Sequence, residues 1–133
     1  MYLFDTDTIT NILKPSPSKL LLKRLKAVSI KDQFISSITL YEIVYGACKS
    51  TRKEYHLNKL RQILLPAVQL VNFDSKAAYI CGTIRADLEL KGTPLSLADL
   101  QIASITLAND LILITGNIKH FQRISHLKVD NWL

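Results

Sequence analysis

The sequence holds 133 residues, of which 48% are hydrophobic and 21% charged, with four glycines and four prolines. That is enough chain to bury roughly two-thirds of its unfolded surface in one core without disulfides or a structural metal, and the mix excludes a disordered chain. The net charge of +6 favours an anionic partner such as nucleic acid, and no apolar run approaches the ~18 residues of a membrane span.

The chain opens on an apolar strand over residues 2–4, and Asp5-Thr6-Asp7-Thr8 forms a strand-to-helix corner. A short helix over 9–13 is broken by Pro15 and Pro17. Residues 19–28 read as an amphipathic helix, with Leu21, Leu22 and Leu25 as its stripe and Lys19, Lys23 and Lys26 on other faces. A second strand covers 33–36, a mostly apolar helix 37–47, and a charged helix 52–65 that Pro66 stops. A third strand covers 68–71. Asp74 or Ser75 caps the next helix, which runs to about Lys91 and ends at Gly92. Residues 97–108 are apolar on nearly every side, which predicts a buried helix. A continuous apolar strand at 111–114 leads into the turn Thr115-Gly116-Asn117, and a last short strand falls at 128–129.

Strands that are continuous apolar runs and alternate with helices predict one α/β domain over 1–133, a central parallel β-sheet flanked by helices on both faces. Cys48 and Cys81 form no Cys-x-x-Cys pair, and both are expected as buried free thiols, which suits a reducing cytoplasm. Asp5 and Asp7 interrupt the opening apolar run, so no signal peptide is expected.

Ligands of an open parallel sheet bind beyond the carboxyl ends of its strands. The polar residues there are Asp5, Thr6 and Asp7, then Ser36 and Ser37 with Glu42 on the following helix, then Thr115 and Asn117. Asp99 stands near the start of the buried helix. Each acid has a structural reading: Thr39-x-x-Glu42 and Ser96-x-x-Asp99 match capping boxes, and Asp5 can organise a turn. Together, three carboxylates in the most apolar parts of a basic chain ask for a compensating cation. Oxygen donors suit Mg²⁺ or Mn²⁺. Zinc is disfavoured, since His56, His120, His126 and the cysteines show no ligand spacing. A hard cation that activates water and steadies phosphate charge performs phosphodiester hydrolysis.

The motifs carry a resemblance. Tyr2-Leu3-Phe4-Asp5-Thr6-Asp7 resembles the first motif of PIN domains, a strand ending in Asp-Thr-Asn, and the run from Ser37 through Glu42 to Gly46 resembles the second. The run from Gly92 through Asp99 to Ala103 resembles the third, and Thr115-Gly116-Asn117 through Phe121 resembles the closing segment of VapC-type toxins. All four occur in family order across essentially the whole chain. The resemblance implies a Mg²⁺-dependent endoribonuclease toxin of a type II toxin–antitoxin system, cutting RNA (tRNA among the targets) to a 5′-phosphate and a 3′-hydroxyl. It also implies a cytoplasmic homodimer, neutralised by a VapB-like antitoxin and touching DNA only through that partner.

By the same resemblance Asp5 and Asp99 bind metal, and Glu42 completes the metal site or positions water. Thr6 and Thr115 support the site, and Asn117 takes the fourth corner. Two departures stand out: Asp7 occupies a position that is usually Asn, and the uncharged Asn117 favours one metal ion over two. Lys119, His120 and Arg123 are candidate phosphate contacts, each with a solvated loop as its plain reading. His120 is also a candidate general acid. Arg85 lies where such toxins are often basic, with an ordinary surface arginine as the alternative. Tyr41 and Tyr45 face a partner or pack in a core or dimer, and Trp132 packs. Two other functions stay open. One is a catalytically inactive PIN-like RNA- or protein-binding module. The other is a haloacid-dehalogenase-like phosphatase using Asp5 as nucleophile and Asp7 as acid, for which the later Lys and acidic-pair motifs are missing.

Overall fold

The computed structural model describes all 133 residues. Five strands, all parallel, lie in the order β3-β2-β1-β4-β5. β1 (Tyr2–Phe4) is central, with β2 (Gln33–Ser36) and then β3 (Gln69–Val71) on one side. β4 (Ile112–Ile114) and β5 (Val129–Asp130) lie on the other. Leu3, Phe4, Leu113 and Ile114 are all fully buried, as expected of strands covered on both faces.

Successive side chains of β1 point to opposite faces, and each face has its own core. Leu3 and Leu113 pack with Ala77, Cys81 and Leu88 of α5 (Ser75–Leu90) and with the buried side of α6 (Leu97–Ala108). Phe4, Ile35 and Ile114 pack with Ile9 of α1 (Thr6–Ile12), Leu21 of α2 (Lys19–Lys26) and Ala47 of α3 (Ser37–Lys49). Leu57 of α4 (Lys53–Lys59) completes that side. Trp132 closes it, 4% exposed and 4.8 Å from the Tyr2 ring. The buried hydroxyls of α6 are satisfied locally: Ser104 donates to Leu100 O and Thr106 to Ile102 O. No helix is long and apolar enough to cross a membrane.

Three expectations need correction. α1 begins at Thr6, three residues earlier than expected, because the Asp5 carboxylate caps it by accepting from Thr6 N. The helix expected at 52–65 ends at Lys59 and continues as a π turn (Leu60–Leu64) and a 3-10 turn (Leu65–Ala67). Pro66, without an N–H, cannot extend an α-helical ladder, and the altered winding still keeps Leu57, Leu60 and Leu64 buried. Cys81 is buried as expected, but Cys48 is exposed. It follows the buried Ala47 on α3, and one residue is about a quarter-turn round a helix.

The chain runs outward from β1 to β2 and β3, then returns to lay β4 on the other flank of β1. The switch point therefore lies between β1 and β4, and the crevice opens beyond their carboxyl ends. Asp5 and Thr115 are the first residues past those two ends.

Candidate active site

Asp5 forms the floor of this crevice. Its backbone N–H extends the sheet by donating to Ile114 O at 2.9 Å. The residue is 4% exposed. Oδ1 accepts from Thr6 N and Oδ2 from the Thr115 hydroxyl, both at 2.8 Å. Thr115 is itself oriented by accepting from Asn117 N at 3.0 Å. Burial pushes the Asp5 carboxyl up from its ordinary 3.8 to about 6; the charges of Asp7 and Asp99 push the same way, against the hydrogen bonds from Thr115 and Thr6.

Glu42 reaches the crevice from α3. The sequence pattern suggested Thr39 as the cap of that helix, but Ser36 is the cap and accepts from Thr39 N. Glu42 therefore lies beyond the first turn and faces the site. Its Oε1 accepts from the Thr6 hydroxyl at 2.7 Å. Thr6 thus serves both acids, with its N–H on Asp5 and its hydroxyl on Glu42. Behind it a hydroxyl relay runs through Thr39 to Ser36.

Asp99 is the third residue of α6. Ser96 caps this helix as expected, accepting from Asp99 N at 3.2 Å. The Asp99 side chain is 23% exposed, with Oδ2 3.8 Å from His120 Nδ1. No three His, Cys, Asp or Glu side chains stand close enough to make a closed metal cage. The acids form a looser set in which Asp5 lies within the electrostatic reach of Asp99 and Asp7. Oxygen-only donors and a carboxyl raised by burial, with the neighbouring acids adding to the effect, fit a hard divalent cation.

Asp7 braces the turn after β4. Its Oδ2 accepts from Gly116 N at 2.9 Å and its Oδ1 from the Thr8 hydroxyl at 3.3 Å. A Cβ at position 116 would stand 2.8 Å from that Oδ2, so a larger residue there would push the Asp7 carboxylate aside. An Asn side-chain oxygen supplies the same acceptor, which is how Asp substitutes for the more usual Asn of this motif. The phosphatase motif fails here as well. It requires Thr two residues after Asp7, where this chain has the buried Ile9.

The remaining candidates scatter. Asn117 is exposed and caps the short helix α7 (Ile118–Phe121) without a side-chain hydrogen bond. Lys119 is exposed on α7. Arg123 donates to Pro94 O at 3.2 Å, tying the loop before α6. Arg85 pairs with Glu89 on the surface of α5 at 3.1 Å, which is the ordinary role. Tyr41 and Tyr45 are 63% and 57% exposed, so they pack in no core of this chain.

Beside the acids lies a cleft of about 370 Å³ that shares Thr6 and Glu42. Its wall carries Lys14, Arg52, Tyr55, His56 and Lys59. Only His56 among them was weighed from sequence, and only as a rejected zinc ligand. Their signal was present: Arg52, Tyr55, His56 and Lys59 follow the i, i+3, i+4, i+7 spacing of one helix face.

Paired acids at the switch point of a parallel sheet, on a basic chain, define a hydrolase of phosphate esters by their chemistry. Comparison with known proteins narrows this. The PIN domain family profile matches residues 2–127. Ribonuclease VapC2 of Rickettsia felis is 42% identical over 98 residues, covering 74% of this chain and 72% of that protein. The tRNA(fMet)-specific endonuclease VapC of Salmonella typhimurium is 31% identical over 98% of this chain and 97% of its own length. The same fold recurs in the crystal structure of VapBC2 from Rickettsia felis bound to a promoter DNA fragment, with a TM-score of 0.92, 34% identity and coverage of 99% of this chain and 98% of that one. The chain belongs to the PIN-domain family and groups with its VapC ribonucleases.

Proposed function

We propose that this chain is a cytoplasmic, metal-dependent endoribonuclease, the toxin of a VapBC-type pair, that hydrolyses RNA phosphodiester bonds with tRNA as the substrate class. The observation that carries this reading is Asp5. It is buried at the switch point, pushed up to about 6 by burial and by the charges of Asp7 and Asp99, and so poised to bind a cation. The names of the relatives support the substrate, one being a tRNA(fMet)-specific endonuclease.

Asp5 and Asp99 would hold one Mg²⁺ or Mn²⁺, with Glu42 adjoining, and the ion supplies an acidified water and charge stabilisation on phosphate. The protein's own groups do the rest. Thr115 and Thr6 fix the Asp5 carboxylate, and Thr6 fixes Glu42. Glu42 is half-buried and accepts the proton of the attacking water. A VapB-like antitoxin neutralises the chain and carries any DNA contact; the chain resembles VapBC complexes that were solved with DNA bound.

The test is cleavage of total and single-stranded RNA by purified protein, with Mg²⁺ and with EDTA. Cutting that needs the metal is the expected result. No cutting, with no metal binding by calorimetry, overturns the nuclease and leaves an inactive binding module. We assign the exposed Tyr41–Tyr45 face of α3, with Leu40 and Val44 alongside, to a second copy of the chain. Light scattering at micromolar concentrations should read a dimer; a strict monomer removes this assignment.

A further inference from the structure

We propose that the cleft between α1 and α4 is the track for the RNA strand on one side of the scissile phosphate. The inference rests on the nuclease reading and adds where the substrate lies. Three fixed cations, Lys14, Arg52 and Lys59, and the titratable His56 line the cleft, against one acid, Glu42. Glu42 and Thr6 stand at the catalytic end, so the cleft is continuous with the acid cluster. A strand whose phosphate reaches Asp5 must extend past them.

Two of the cations are held in place. The Arg52 guanidinium lies 3.9 Å from the Tyr55 ring centroid, and Lys59 Nζ lies 5.0 Å from it. Lys59 also donates to Leu13 O at 2.9 Å, which ties it to the end of α1. Side chains fixed before binding lose little entropy when a phosphate arrives. At about 370 Å³ the cleft is near the lower end of ligand pockets, roughly 300–1,000 Å³, which suits a short single-stranded segment. The candidates chosen from sequence lie elsewhere: Arg85, Lys119 and Arg123 do not line this cleft, and Arg85 is paired to Glu89.

The test is the double variant Lys14→Gln/Arg52→Gln. Both side chains are exposed and neither makes a core contact, so folding is preserved. Lys31→Gln, at the amino end of β2 and away from the crevice, is the control. Two readouts are taken: cleavage kinetics with Mg²⁺, and fluorescence anisotropy with a labelled single-stranded RNA in EDTA, where nothing is cut. The double variant is expected to raise KM and weaken binding by about tenfold, and to flatten the slope of log affinity against log salt by about 1.4, or about 0.7 for each phosphate that is no longer neutralised. The fall in kcat should be far smaller than the rise in KM. Unchanged KM and anisotropy overturn the proposal and leave the cleft to a protein partner. A wild type that binds RNA through these residues but cuts nothing overturns the nuclease and keeps the track.

Discussion

Asp99→Asn is expected to lower RNA cleavage by more than about a hundredfold, since even partners that only orient metal ligands contribute about 10–100-fold. The substitution keeps size and shape and removes one charge. It should leave the fold intact for local reasons. Ser96 caps α6 through the backbone N–H of Asp99, a contact the side chain does not make. The carboxylate itself is 23% exposed, with a 3.8 Å approach to His120 as its nearest ion pair. Circular dichroism and the melting temperature in EDTA should therefore match wild type, while the rise in Tm on adding Mg²⁺ should shrink. Cleavage at the wild-type rate would remove Asp99 from the site. A collapsed melting transition would instead make its role structural.

How much of this was legible follows from which interactions are local. Residues 2–4 and 111–114 read as buried parallel strands because they are continuous apolar runs, and their carboxyl ends delivered Asp5 and Thr115 to one place. The cap at Ser96 was legible because the hydroxyl and its N–H partner lie three residues apart. The start of α1 was not, because Asp5 was read as a turn residue when its carboxylate also caps a helix. The partner of Glu42 was hidden for a different reason. Thr6 is 36 residues away in sequence, and only the pairing of β1 with β2 brings α1 against α3. Asp7 and Gly116 meet across 109 residues, so the brace could not be read from either motif alone. The basic cleft lay between these cases. Its spacing on α4 was visible, but that the face turns toward Glu42 depends on how α3 and α4 pack.

The cost of burying the Asp5 carboxylate beside other acids should appear as a pH dependence of stability in the metal-free protein. Asp5 has an ordinary value of 3.8 and is raised to about 6 in the fold, so the native state binds its proton more tightly than the unfolded chain does. Stability from this group is then full below about pH 4 and is lost as pH rises through about 6, a sign opposite to that of a salt-bridged aspartate. At neutral pH the difference corresponds to about 3 kcal/mol, an order-of-magnitude figure. Asp5→Asn should recover much of it. The amide oxygen can accept from Thr6 N, and the Thr115 hydroxyl can rotate to accept from the amide group, since it has a second lone pair beyond the one used by Asn117 N. In urea titrations with EDTA, the stability gap between Asp5→Asn and wild type should open between about pH 4 and 6 and favour the variant at pH 7. Mg²⁺ should narrow the gap by stabilising wild type alone, because attraction to a bound cation offsets the desolvation and repulsion that raised the carboxyl. The same variant should cut no RNA. A gap that is flat with pH, or one that Mg²⁺ leaves untouched, would mean that Asp5 is not the buried charge around which this site is built.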